Sequence, residues 1–251
     1  MQMSTRWYVI LLLSLIASAR ICSAQGGPPM ITDDPGTPGD RNWEINVGFI
    51  EENRTGETHF QTPDFDFNYG AGDRVQLNFE IPIAVRSADA TTDSALGNSK
   101  VGVKWRFLGE TPSGLAISTY PHLVFNNPTS AVDRGLADEG WQVFLPIEAS
   151  QRWGKLQLNG EAGYNIQEKL SNEIWLGLVT GYQLSGRVEL LAEAHTIETH
   201  RFAENESVFD FGSRVKLTKL NTLLFTAGRA LPGSSNDQPR FFMYAGMQFT
   251  F

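Results

Sequence analysis

The chain has a single cysteine, Cys22, in 251 residues. That count excludes a disulfide framework and a cysteine-based metal or redox centre. Basic residues are also scarce, 20 Lys and Arg against 28 Asp and Glu, for a net charge of −8. So acidic a balance argues against a nucleic-acid partner. Beyond the first two dozen residues no apolar run approaches the roughly 20 residues that a membrane-spanning helix needs. Mean hydropathy is −0.23, as expected where apolar and polar residues alternate and cancel in the average.

The one continuous apolar stretch lies near the start. Arg6 precedes the run Trp7 to Ala19, and Cys22-Ser23-Ala24 supplies small residues before Gln25. This reads as a secretory signal over residues 1–24, too short to be a spanning helix. A lipoprotein reading of Cys22 is poorly served by Arg20 and Ile21 before it. Cleavage would remove Arg6, Arg20 and the only thiol, leaving 18 basic against 28 acidic residues. Residues 25–41 (QGGPPMITDDPGTPGDR) are too rich in Pro, Gly and Asp for regular structure.

From residue 42 to 251 the dominant signal is a period of two. In the last eleven residues, FFMYAGMQFTF, Phe241, Met243, Ala245, Met247, Phe249 and Phe251 form one apolar file. Phe242, Tyr244, Gly246, Gln248 and Thr250 form the other. A soluble strand with so apolar an outer face would recruit other chains, whereas in lipid that face is satisfied. A terminal strand closing on Phe249 and Phe251 resembles the assembly signal of bacterial outer-membrane barrels. Similar segments recur from Trp43 onward and number about twelve. Short connections at 70–73, 109–114, 151–155, 185–186 and 218–221 alternate with longer polar ones at 54–59, 87–99, 126–140, 167–173, 197–207 and 231–240. Short turns at one end and long loops at the other predict an all-β, antiparallel up-and-down transmembrane barrel of outer-membrane type. Aromatic residues sort to both ends of the predicted strands, Trp43, Trp153 and Tyr182 at one and Trp141, Phe209 and Phe241 at the other. Pro82, Pro121 and Pro146 fall within predicted strands, where each removes a ladder bond and predicts a bulge.

Four passages carry a family resemblance. They are Gly27-Pro28-Pro29-Met30-Ile31-Thr32-Asp33-Asp34-Pro35, followed by Trp43-Glu44-Ile45-Asn46; Asn68-Tyr69-Gly70 through Leu77 with Glu80-Ile81-Pro82; Gly97 through Phe107; and Tyr244 through Phe249. Together they resemble the outer-membrane family described as "MetA-pathway of phenol degradation, putative transporter". The resemblance implies a barrel that passes small, often aromatic, organic solutes. It supplies no catalytic residues, no cofactor and no metal.

The inward file holds the candidate site. Glu44, Asp64, Asp66, Glu80, Glu148, Glu161, Glu189, Glu193 and Asp210 are expected to face Lys100, Lys104, Arg106, Arg214 and Lys216. Two readings stand: a charged eyelet that selects solutes, or a network that fills and braces a lumen narrower than that of 16–18-stranded porins. Residues 25–41 have two readings as well, a plug with Asp33, Asp34 and Arg41 touching lumen charges, or a periplasmic tail. His195 is expected to face inward near Glu193, and His200 falls in the next loop, without the serine partner that a hydrolase needs. Acidic loop residues such as Asp89, Asp93, Asp138 and Glu204 read as a solvated face rather than a cation site. The partners implied are outer-membrane lipid, the barrel-assembly machinery and small organic solutes.

Overall fold

A computed structural model describes residues 27–109, 114–127, 132–199, 205–231 and 238–251. The expected signal segment, His200 and Glu204 lie outside the described residues. Twelve strands follow one another along the chain. They are β1 (Trp43–Asn53), β2 (Glu57–Gly70), β3 (Val75–Ala88) and β4 (Thr91–Leu96 continued by Ser99–Leu108). Next come β5 (Leu115–Thr119 continued by His122–Phe125), β6 (Gln142–Trp153), β7 (Leu156–Gln167) and β8 (Glu173–Gln183). The last four are β9 (Val188–Thr199), β10 (Asn205–Lys216), β11 (Asn221–Ala230) and β12 (Phe241–Thr250). Each pairs antiparallel with its chain neighbours. β1 pairs with β12 from Glu44↔Thr250 to Asn53↔Phe241, which closes the cylinder. Trp43 and Phe251 exchange backbone hydrogen bonds at the seam, at 2.7 and 3.1 Å. A closed wall leaves no edge whose row of ladder groups would need water.

The prolines explain the two divided strands. Between Glu80↔Lys100 and Ile83↔Leu96 the register slips by one residue, a bulge at Gly97-Asn98 beside Pro82. β5 is broken at Tyr120-Pro121, between Thr119↔Ile147 and His122↔Phe144. Pro146 lies in the unbroken β6 with its missing N–H facing that break, so two prolines share one gap in the ladder. A further shift between Gln61 and Asp64 on β2 was not anticipated; Pro63 sits within it.

Two connections differ from expectation. Residues 54–59 and 87–99 read as loops, but β1 and β2 run on to a turn at 54–56, and β3 and β4 to one at 89–90. Thr91, Thr92, Asp93 and Ser94 are exposed and polar on both faces. Above the bilayer neither face needs apolar residues, so alternation fades while ladder pairing continues.

Inside the predicted span the alternation holds. Leu77, Phe79, Val101, Val103, Trp105, Leu145, Ile147, Leu176, Leu178, Phe211, Leu223 and Phe225 are exposed on the outer face, several by around half. An apolar belt that extensive belongs to lipid rather than water. The interior is dense with polar groups: Asn46, Asp66, Ser118, Glu148, Glu193 and Asp210 are buried.

Candidate functional site: the barrel lumen

The lumen is divided by the chain's own N-terminal segment. From β1 it passes the short-turn rim, where Arg41 N donates to Gly70 O at 2.8 Å and Gly70 N to Asn42 O at 2.9 Å. Gly70 is required here, because a Cβ on it would stand 1.7 Å from Gly39 O. The segment then climbs to mid-lumen. Ile31 N and Thr32 N donate to the Glu193 carboxylate at 2.9 and 2.7 Å, and Asp33 N donates to Glu161 at 2.9 Å. It turns back so that the Gly27 carbonyl accepts from Arg214 at 3.1 Å. Met30 packs against Val179 and Leu191 in a small apolar socket.

Lys104 is the central cation of this contact. Its Nζ lies 2.8 Å from Asp33 Oδ2 and 3.9 Å from Glu148 Oε2, and donates to Asp34 O at 2.7 Å. It also stands 5.1 Å from the Tyr120 ring centroid, a cation–π distance. Lys104 is 1 % exposed and Glu148 fully buried, so the attraction acts at low dielectric. Asp34, on the segment rather than in a spanning strand, has its carboxyl pushed up to about 6 by burial, with Lys104 opposing the shift.

Other expected lumen residues distribute around this contact. Arg214 lies 3.4 Å from Glu189. Asp210 accepts from Thr226 Oγ1 at 2.9 Å. Lys100 forms an ion pair with Glu80 across β3 and β4. Arg106 donates to Asp73 O at 2.7 Å near the short-turn rim. Glu44, Asp64 and Asp66 are buried on β1 and β2, and Lys216 is half-buried at the end of β10. Arg41, placed by the sequence among residues touching lumen charges, instead pairs at 3.7 Å with exposed Asp40. It follows the last inward turn of the segment and so stays in water.

Beside the segment lies a cavity of about 860 Å³, lined from the outer strand ends at Glu52, Glu57 and Glu206 down along β1–β3 to Glu44, Asn68 and Gln76 near the short turns. Charged pairs flank one side of its outer end, on β1–β3: Arg86 lies 2.7 Å from Glu57, His59 3.1 Å from Glu57, and Arg54 3.0 Å from Glu52. One wall is an aromatic ladder that the sequence reading missed. Tyr120, His122, Phe144, Trp175 and His195 follow with ring centroids 4.9, 5.2, 4.8 and 5.6 Å apart. The signal was weak, since Ile174-Trp175-Leu176 is apolar on both faces. Gly177 and Gly181 were the available hint, marking the inward side of β8. His195 is buried at the end of the ladder, and its Nε2 has no hydrogen-bond partner among the described residues. Its neighbour Thr196 instead bonds Ser207 at 2.8 Å.

A closed wall, a lipid-facing belt and a polar interior define a transmembrane β-barrel of outer-membrane type. Its fold is that of solved outer-membrane channels. A channel from Pseudomonas putida F1 is similar with a TM-score of 0.64 at 15% identity, over 90% of this chain and 100% of that one. The KdgM porin is similar with a TM-score of 0.57 at 10% identity, over 82% and 99%. The NanC porin gives 0.56 at 7% identity, over 82% and 98%. No protein-family model matches the chain, and no curated protein sequence matches it.

Proposed function

We propose that the protein is a channel of a bacterial outer membrane for small organic solutes, aromatic ones among them. Residues 27–41 would act as its internal plug. The observation that carries this is a cavity of about 860 Å³, aromatic on one wall and narrowed by a segment that is not part of the wall. A brace needed only for stability would fill the cylinder evenly; here a hollow remains beside the segment along β1–β3. In this reading the lumen carboxylates and cations both seat the plug and line the path once it moves. The resemblance to the phenol-pathway transporters agrees with the aromatic lining. Export through the 1–24 signal and recognition of Phe249 and Phe251 by the barrel-assembly machinery complete the proposal.

A sealed structural barrel is the competing reading, favoured by the bonds from Glu161, Glu193 and Lys104 to the segment. Conductance in planar bilayers separates the two. Deleting residues 27–37 keeps the rim bonds of Arg41 and Asn42 and should raise single-channel conductance several-fold. A deletion variant as silent as the full chain would remove the channel reading. Hydrolysis is the weaker alternative, because among the described residues no serine bonds His195 Nε2.

A further inference from the structure

The wall formed by β1, β2, β3 and β12 carries a second feature of the cavity. Glu44, Asp64, Asp66 and Glu80 all line it. Among the described residues Lys100 is the one basic side chain within ion-pair distance of these four, and it is taken by Glu80. Asp66 is held by amides: Asn46 and Asn68 donate to Oδ2 at 2.9 and 3.0 Å, and Asn78 donates to Oδ1 at 2.6 Å. Asp64 has no such holder. It is 4 % exposed, yet its Oδ1 has no hydrogen-bond partner among the described residues. The Tyr244 hydroxyl, on a side chain 6 % exposed, is likewise unpartnered.

These two groups stand close in the wall. Gly48 pairs with Asp64 on one side and with Gly246 on the other. The Tyr244 ring lies over both glycines; a Cβ on Gly48 would meet it at 2.8 Å, and one on Gly246 would meet its Oη at 2.5 Å. Two glycines thus admit a ring whose hydroxyl ends beside the strand of Asp64. Buried polar atoms without partners are costly unless a ligand satisfies them.

We infer that this wall binds the ammonium end of small organic cations, while the Tyr120–Trp175 ladder receives their apolar or aromatic end. Asp64 supplies an open acceptor, the Asp66 and Glu44 carboxyl groups share its wall, and Tyr244 Oη accepts a second N–H. Among the described residues no three carboxylates or histidines converge as metal ligands would, so the wall suits a cation that donates N–H bonds better than a bare metal ion. A volume near 860 Å³ is within the range of sites for molecules of that size. The inference takes the vestibule of the proposed channel as its setting and deepens it to a solute class.

Calorimetric titration of the full-length protein in detergent tests it, using phenethylammonium, neutral 2-phenylethanol and the anion 3-phenylpropionate at low salt. The ammonium should bind about tenfold more tightly than the alcohol, the scale of a hydrogen bond to a charged group, and the carboxylate more weakly than either. Asp64→Asn should abolish most of the ammonium preference and leave the alcohol unchanged. Tyr244→Phe, which breaks no hydrogen bond among the described residues, should weaken the ammonium about threefold and decides the matter if Asp64→Asn fails to assemble. Equal affinity for ammonium and alcohol, or an unchanged ammonium affinity in the variants, overturns the site. Calorimetry reads binding without passage. A barrel that binds the ammonium but conducts nothing keeps the site and loses the channel; one that conducts without the preference does the reverse.

Discussion

Gly177→Ala should open the barrel without damaging its wall. Gly177 faces inward from the middle of β8, where it pairs with His195 and Glu161 on the flanking strands. A Cβ placed there would lie 1.9 Å from Thr32 Oγ1, 2.9 Å from Thr32 Cβ and 3.0 Å from Cγ2. Rotating the Thr32 side chain cannot cure this, because its Cβ is itself too near, so the backbone of the segment has to withdraw. Withdrawal pulls Thr32 N and Ile31 N from Glu193. Overpacking of this kind costs about 1–3 kcal/mol. Since each 1.4 kcal/mol is about a factor of ten, the undocked population should rise roughly tenfold or more. The readout is open probability in planar bilayers, compared with the 27–37 deletion. Thr32→Gly removes all three clashing atoms, so Gly177→Ala combined with Thr32→Gly should close the channel again. A single variant that stays shut, or a pair that stays open, would mean that the segment does not block the lumen at this point.

How much of this was legible beforehand depends on what each face of a strand must satisfy. The lipid-facing file was plain at Leu77, Phe79, Val101 and Val103 because lipid tolerates only apolar groups there, so alternation survives undiluted. The charged inward residues followed by parity; what parity leaves out is which of them meet one another across the lumen. Lys100 finds its partner on the neighbouring strand in Glu80, whereas Lys104 reaches Asp33 on the segment. Contacts across a lumen have no sequence period. The aromatic ladder was hidden for a related reason: Tyr120 and Phe144 flank the proline gap, and Trp175 sits in a run that is apolar on both faces. The outer hairpins were misread as loops because water imposes no face preference on a strand.

Lys104→Met is the second substitution expected to act strongly, and it acts through charge. Methionine keeps most of the length of the stem but removes the cation that holds Asp33 Oδ2 at 2.8 Å and the Asp34 carbonyl at 2.7 Å. Breaking a buried pair by removing one partner costs about 3–5 kcal/mol, since the remaining charge is stranded at low dielectric. Two carboxylates are affected, with different escapes. Glu148 belongs to the wall and is fully buried, so it must keep to the Ser118 hydroxyl or take up a proton. Asp33 rides on the segment and regains water by leaving. The cost therefore falls mainly on docking, and the barrel itself should still assemble. A cysteine at position 32 measures this directly once Cys22 is replaced, because the chain has no other thiol. In the parent, that thiol faces Gly177 and should react slowly with a water-soluble maleimide. With Lys104→Met the rate should rise about a hundredfold, the equivalent of roughly 3 kcal/mol. Lys104→Arg, which retains the charge, should raise it far less. Equal labelling rates in the parent and Lys104→Met proteins would show that the apolar socket of Met30 and the Glu193 bonds hold the segment without help from this cation.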